Sequence, residues 1–147
     1  MKNLLPPVLF IFCIVSMILL DLLFPIRVFI PGSFKLHGVG MILLGGWITA
    51  SGAKIFRRKG TTEMTFSEPN FLVTEGIYKI TRNPMYLGFS LMLLGLAAVL
   101  GSISPFFVVI GFFTITSLWY IRFEERILEA KFGETYLEYK ANVRRWI

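Results

Sequence analysis

The side chains of this sequence that could do chemistry form two short polar groups, each beside an apolar run. They are Tyr78, Arg82, Asn83, Tyr86, Arg122, Glu124 and Glu125. A carboxylate that faces a cavity could bind an ammonium group or hydroxyls. Since no charged residue lies in the middle of a long apolar run, any chemistry is expected at the boundary of those runs.

Both groups also have a purely structural interpretation. Pro84 suits a first helical turn and restricts Asn83, a helix-capping residue type, to an extended conformation. Arg82 and Tyr86 are residue types that are enriched at membrane interfaces. The two adjacent glutamates could form a solvated helix face, although neighbouring residues point about 100° apart, so one of them could face the protein interior. Spacing alone favours this structural interpretation.

Several other kinds of site are excluded by what the sequence lacks. His37 is the single histidine and Cys13 the single cysteine, so neither a metal centre nor a Cys/His catalytic pair can be assembled. No phosphate-binding glycine motif and no nucleophile elbow is present. The basic residues cluster beside apolar runs, a pattern that indicates membrane topology and not nucleic-acid binding.

Composition indicates an integral membrane protein. Of the 147 residues, 55% are hydrophobic and 16% are charged, whereas soluble domains average about 25% charged residues. The mean hydropathy is +0.70. A single all-α membrane domain follows, because a chain in lipid must satisfy its backbone hydrogen bonds internally.

Apolar runs divide this domain into about four transmembrane helices, a cytoplasmic loop and an amphipathic C-terminal helical tail. A helix of about 20 residues crosses the hydrocarbon core. The glycines of the second run predict close packing inside the helix bundle. The predicted spans are 4–24, 36–55, 85–101 and 105–121, with the loop at 56–84 and the tail at 122–147.

The distribution of positive charge predicts the orientation. With the N-terminus inside, all but two of the 15 lysines and arginines lie on the cytoplasmic side, the exceptions being Arg27 and Lys35. The positive-inside rule therefore predicts that both termini are cytoplasmic. A small single-domain form suits a prokaryotic plasma (inner) membrane. The chemical groups at residues 78–86 and 122–125 then share the cytoplasmic face.

Two sequence blocks resemble the isoprenylcysteine carboxyl methyltransferases and their phospholipid methyltransferase relatives. The segments GIY at 76–78 and RNPMYLG at 82–88 resemble the family signature G-x-Y…R-H-P-x-Y-x-G, with Asn83 in place of the family's histidine. The tail resembles the family pattern E-E-x-x-L-x-x-x-F-G-x-x-Y-x-x-Y from Glu124 to Tyr139. The resemblance covers roughly half of the chain, residues 76–143.

The resemblance implies a membrane methyltransferase that uses S-adenosylmethionine and a lipophilic or membrane-embedded acceptor (a carboxylate, thiol or amine). It implies catalytic roles for Arg122, which would orient the acceptor, and for Glu125. The cofactor-binding residues that it implies are Tyr78, Arg82, Asn83, Pro84, Tyr86, Gly88, Glu124 and Glu125. Membrane lipids are expected partners, and the sequence leaves the oligomeric state open.

Two other functions remain possible at this point. One is a membrane reductase that uses a reduced nicotinamide, since sterol reductases resemble this chain in their C-terminal cofactor region. The other is a four-helix transporter or scaffold without enzymatic activity. A transporter would need an ionisable residue within a span, and only Asp21 comes close.

Overall fold

A computed structural model describes residues 5–26, 32–58 and 71–147, and within them every regular element is helical. Short 3-10 and π segments occur at Gly76–Lys79 and Thr116–Tyr120. The α-helices are Pro6–Leu23 (α1), Gly32–Arg58 (α2), Pro84–Leu100 (α3), Ser104–Ile115 (α4), Ile121–Phe132 (α5) and Glu134–Asn142 (α6).

Within residues 5–26, 32–58 and 71–147, three helices are long and apolar enough to cross a membrane. They are Pro6–Leu23, Phe34–Arg58 and the continuous helix Ser104–Phe132, which joins α4, the π segment and α5. The prediction of an all-helical fold is therefore confirmed for the described residues, which contain three candidate membrane spans. The apolar helix α3 is shorter, at 17 residues, and its crossing of the membrane stays a prediction.

The observed helix ends differ from the predicted spans in specific ways. Helix α2 begins at Gly32 and ends at Arg58, so it extends beyond the predicted span 36–55 at both ends. The C-terminal tail is broken at Gly133, whose positive φ of 50° separates α5 from α6. The first residue of the predicted span 4–24, the short loop 27–31 and residues 59–70 of the predicted loop 56–84 lie outside the described residues.

Glycines bring α2 and α3 into close contact. Gly38 and Gly45 on α2 face Gly95 and Gly88 on α3, and a Cβ added at Gly45 would lie 2.5 Å from the carbonyl oxygen of Gly88. Such close approach is how small residues stabilise helix pairs in lipid. Among the described residues, the contacts of α2 lie on this face, and its opposite face exposes large apolar side chains such as Leu43 and Trp47. The predicted packing of α2 in the bundle therefore applies to one face.

Helix α1 packs on α3 and α4 through a buried apolar face. Met17 and Leu93 are fully buried in this core, and the ring of Phe10 stacks on that of Phe89 with a centroid distance of 4.6 Å. Cys13, which carries no disulfide, lies in the same core. The cysteine therefore has a packing role, as its position in an apolar run suggests.

A polar junction fastens the end of α1 to the turn between α3 and α4. The hydroxyl of Ser102 donates to the Asp21 carboxylate at 2.5 Å, and Ser104 donates to the carbonyl oxygen of Phe24. The Ile103 amide donates to the carbonyl oxygen of Ile26 at 2.8 Å. Asp21, the residue on which a transport function would depend, is thus part of a structural contact.

The long helix Ser104–Phe132 contains a π-helical turn at its centre. The Ile121 amide donates to the carbonyl oxygen of Thr116, five residues earlier. The Thr116 hydroxyl donates to the carbonyl oxygen of Phe112 at 2.8 Å. Such single π-turns inside α-helices occur frequently at functional sites, and the two glutamates follow within about one turn.

Candidate functional site

The polar residues before α3 are held by the C-terminal segment 143–147. The Arg82 amide donates to the carbonyl oxygen of Arg144 at 3.0 Å. The Asn83 side-chain amide donates to the carbonyl oxygen of Arg145 at 3.0 Å, and Thr81 donates to the same oxygen at 3.2 Å. Asn83 occupies the N-cap position of α3, as the structural interpretation predicts, but its side chain makes no capping hydrogen bond to the helix.

Glu125 is the centre of a buried ionic cluster. Its Oε1 accepts hydrogen bonds from Arg82 Nη1 at 2.9 Å and Arg145 Nε at 3.1 Å, and its Oε2 accepts one from Arg145 Nη2 at 2.5 Å. Arg82 Nη1 also donates to the Tyr136 hydroxyl at 3.3 Å. The side chains of Arg82 and Glu125 are only 10% and 9% exposed. Two guanidinium groups therefore balance one buried carboxylate.

Glu124 contacts a different partner from its neighbour. The Tyr86 hydroxyl donates to Glu124 Oε1 at 2.8 Å, and the ring of Tyr86 lies 6.3 Å from that of Tyr120. Both glutamates thus contact residues at the start of α3, where Tyr86 and Arg82 lie within about one helical turn. The structure brings the two sequence blocks together at this point.

Tyrosines from two parts of the chain form one side of the cluster. Tyr78 is buried with its ring edge-on to Phe56, at a centroid distance of 5.4 Å. Its carbonyl oxygen accepts a hydrogen bond from the Tyr139 hydroxyl at 2.7 Å. Burial raises the pKa of both Tyr136 and Tyr139 above the ordinary value. Both phenols on α6 are therefore neutral at physiological pH; Tyr139 donates a hydrogen bond, and Tyr136 accepts one from Arg82.

One donor in this cluster has no acceptor. Arg82 Nε is buried and makes no hydrogen bond with the described residues. A buried donor without a partner costs about 1–3 kcal/mol. Among these residues no three His, Cys, Asp or Glu side chains lie together as metal ligands would. The free donor beside a net positive cluster therefore suits an anionic organic group.

Comparison with known proteins identifies the family. The sequence profile of the phospholipid methyltransferase family matches residues 34–135. The chain belongs to the phospholipid methyltransferase family. The matched region contains α3, α4 and α5 and therefore both glutamates, whereas Tyr136, Tyr139 and Arg145 lie beyond it.

Curated relatives of this phospholipid methyltransferase family member include two named methyltransferases. A protein-S-isoprenylcysteine O-methyltransferase of Schizosaccharomyces pombe is 31% identical over 123 residues, 78% of this chain and 50% of the relative. Protein-S-isoprenylcysteine O-methyltransferase B of Arabidopsis thaliana is 34% identical over 127 residues, 79% of this chain and 62% of the relative. The chain thus spans about half to three-fifths of the length of these relatives.

A shorter bacterial relative is also similar. An uncharacterized protein of Haemophilus influenzae is 41% identical over 63 residues, which are 43% of this chain and all of the relative. No solved structure matches the chain.

The structure distributes the predicted site residues of this family member over four places. Arg82, Asn83, Glu124, Glu125 and Tyr86 meet around the start of α3, where Pro84 is its buried first residue. Tyr78 lies beside this group, between α2 and α6. Gly88 lies in the contact with α2, where an added Cβ would overlap the Thr49 hydroxyl. Arg122 is exposed on α5.

Sequence reasoning missed two members of the cluster. Arg145 counts in the sequence only as one of the basic residues predicted to be cytoplasmic, and Tyr136 only as a position of the tail pattern without an assigned role. Their spacing from Glu125 carries no signal, because the reversal of the chain at Gly133 that brings them back is a tertiary feature. The tail motif at Tyr136 was the one available hint.

Proposed function

We propose that this protein transfers a methyl group from S-adenosylmethionine to a lipophilic acceptor at the cytoplasmic boundary of the membrane. The observation that carries the proposal is the buried Arg82 Nε, which has no acceptor among the residues that the structure describes and belongs to a net positive cluster. Family membership supports methyl transfer. So do the printed names of the yeast and plant relatives.

The donor set fits the polar groups of this cofactor. S-adenosylmethionine carries a carboxylate, an ammonium, a sulfonium and ribose hydroxyls. Arg82 would bind the carboxylate through Nε, and Glu124 would accept from the ammonium or the hydroxyls. The aromatic ring of Tyr86 can stabilise a cation such as the sulfonium. Asn83, whose amide is bound to the Arg145 carbonyl, would hold the edge of the site in place.

The protein's contribution to such a reaction is positioning and exclusion of water. When bound, S-adenosylmethionine supplies an electrophilic methyl group on a positively charged sulfur. Tyr86 and Tyr120 provide a buried aromatic wall, and positioning in a dry site accelerates a displacement in which charge is lost. Glu125 would orient Arg82. It would not act as a general base, because guanidinium groups bind both of its carboxylate oxygens.

The acceptor side of the site faces the membrane boundary. Arg122 is exposed on α5 at the end of the apolar part of the long helix. A guanidinium there can attract an anionic acceptor such as a carboxylate. The apolar surfaces of the surrounding helices suit a lipophilic molecule that reaches the site from the bilayer. A lipid-borne carboxylate, thiol or amine is therefore the proposed acceptor class.

Calorimetric titration with S-adenosylhomocysteine tests the proposal directly. We expect the detergent-purified wild type to bind at micromolar concentration. Glu124→Gln should weaken binding about tenfold or more, because it removes a charged acceptor. Glu134→Gln, an equal change at an exposed position of α6, should bind as the wild type does.

A folded wild type that binds no S-adenosylhomocysteine, in detergent and again in lipid nanodiscs, would refute the proposal. Titration with a reduced nicotinamide dinucleotide would then test the reductase alternative. A transport phenotype lost in Asp21→Asn but retained in Glu125→Gln would favour the transporter alternative instead.

A further inference from the structure

The C-terminal segment 143–147 lies across the start of α3 and is fixed at both sides. Its backbone carbonyls at Arg144 and Arg145 accept hydrogen bonds from residues 81–83. On the other side, the ring of Trp146 stacks on Phe113 of α4 with a centroid distance of 4.6 Å and an interplanar angle of 24°. The segment therefore connects α3 and α4 over the ionic cluster.

This arrangement directs the Arg145 side chain inward. Arg145 binds both carboxylate oxygens of Glu125 from one side, and Arg82 binds Oε1 as well. A charge-assisted contact of this two-point kind fixes the orientation of a carboxylate as well as stabilising it. Glu125 in turn holds the Arg82 guanidinium through Nη1, which leaves Arg82 Nε as the free buried donor.

The charges of this cluster determine whether it can bind the carboxylate or the ammonium of an amino-acid group. The trio Arg82, Arg145 and Glu125 carries one net positive charge, and its central pair is about nine-tenths buried. Glu124, which accepts from Tyr86, is not part of this trio. A buried positive cluster repels an ammonium and attracts a carboxylate. Glu125 is thus unsuited to bind the ammonium of the methyl donor.

We propose that Arg145 is a positioning residue of the methyl-donor site. By fixing Glu125 it holds Arg82 in the orientation that offers Nε to the carboxylate of the donor's amino-acid end. This inference rests on the proposed function and deepens it, because it assigns the ionic cluster to one end of the cofactor. The nucleoside end would not depend on Arg145.

Binding of two ligands that differ only at the amino-acid end tests this role. S-adenosylhomocysteine carries the amino-acid group, whereas 5′-methylthioadenosine is a similar nucleoside thioether without it. We expect Arg145→Gln to weaken S-adenosylhomocysteine binding about tenfold or more and 5′-methylthioadenosine binding less than twofold. Arg145→Lys should restore part of the lost affinity, because it retains the charge but not the two-point contact.

The matched control is Arg126→Gln. Arg126 is exposed on α5 next to Glu125, so the variant removes an equal charge without touching the cluster. It should bind both ligands as the wild type does. If Arg145→Gln does not fold, as judged by thermal unfolding, Arg145→Lys carries the comparison between the two ligands.

The outcomes are distinguishable. Equal loss of both ligands would show that Arg145 is merely structural and would overturn the inference. Unchanged affinity for S-adenosylhomocysteine in both Arg145 variants would also overturn it, while leaving the proposed function standing. Failure of the wild type to bind either ligand would refute the proposed function and this inference with it.

Discussion

The two neighbouring acids in the first turns of α5, Glu124 and Glu125, have different hydrogen-bond partners. Both oxygens of Glu125 are bound by two cations and its side chain is nearly inaccessible, whereas one oxygen of Glu124 accepts a hydrogen bond from the Tyr86 hydroxyl. A carboxylate already neutralised by guanidinium groups gains little from a further cation. Glu124 is for this reason the acid that we expect to contact a ligand.

The hydrogen bond from Tyr139 to the backbone of Tyr78 offers a test of how α6 is held. Tyr139→Phe removes the donor and leaves the Tyr78 carbonyl without it, which should lower the free energy of unfolding by about 1–3 kcal/mol. Thermal unfolding of the wild type and the variant in the same detergent measures this. Equal melting temperatures would show that the bond does not stabilise the fold.

The hydrogen bond from Tyr139 to Tyr78 also predicts how the stability of the protein depends on pH. Burial raises the pKa of Tyr139 in the folded protein, while the unfolded chain ionises near the ordinary value of about 10. The folded state then holds more protons, so this stabilisation is complete below pH 10 and declines as pH rises above it. The difference in melting temperature between wild type and Tyr139→Phe should narrow above pH 10. A constant difference would contradict the prediction.

At the scale of elements, close packing between α2 and α3 sets the position of the start of α3. Gly45 and Gly88 leave room for backbone contact, and Gly52 lies against Pro84 at the site end of the same face. The contact therefore reaches from the far end of α3 to the residues that precede the ionic cluster. Any separation of the two helices would move Arg82 and Tyr86 relative to α5.

Alanine substitution on α2 tests this contact with an internal control. A Cβ at Gly45 would lie 2.5 Å from the Gly88 carbonyl oxygen, whereas a Cβ at Gly40 has nothing within 4 Å. We expect Gly45→Ala to destabilise the protein by about 1–3 kcal/mol through overpacking. Gly40→Ala should be neutral or slightly stabilising. Similar melting temperatures for the two variants would argue against the packing described.

The helices could be predicted from the sequence to the extent that apolar runs and breakers mark them. Pro84 and Gly101 flank α3 as the sequence indicates, the glycine with a positive φ of 86°. The extension of α2 to Arg58 could not be predicted, because charged residues are as compatible with the last turn of a helix as with the loop that follows it. The π-turn at Thr116–Tyr120 left no mark in a uniformly apolar run.

At the scale of the whole molecule, the polar cluster and the junction at Ser102 lie at opposite ends of the bundle. Helix α3 runs between them, from Pro84 to Leu100, and α1 ends at the junction. One end thus holds the groups that could do chemistry, and the other fastens the helices. The hydrogen bond from Ser102 accounts for an acidic residue, Asp21, at this end of α1.

Single cysteines can test whether α3 crosses the membrane. In a Cys13→Ser background we expect Ile103→Cys, in the turn after α3, to react with an impermeant maleimide in right-side-out vesicles. Lys79→Cys, exposed before α3, should react only after permeabilisation, as the positive-inside rule predicts. Reaction of both from one side would show that α3 does not cross, and the reverse pattern would invert the topology.

Part of the site was accessible from the sequence and part was not. Arg82, Tyr86 and the two glutamates could be predicted because the family resemblance links them. The roles of the two acids could not, since which acid meets Arg145 depends on where segment 143–147 returns. For Gly88 the family resemblance predicts contact with the cofactor, whereas in the structure this glycine contacts α2.

The π-turn in the long helix affects the angular position of everything that follows it. Each helical residue advances about 100° around the axis, and a π-turn holds about one residue more than an α-turn. The glutamates after Tyr120 are thus rotated by about that angle relative to an uninterrupted helix. The packing of the apolar half of the helix therefore does not by itself determine the direction in which Glu124 and Glu125 point. The π-turn sets the rotation of the second half about the helix axis relative to the first.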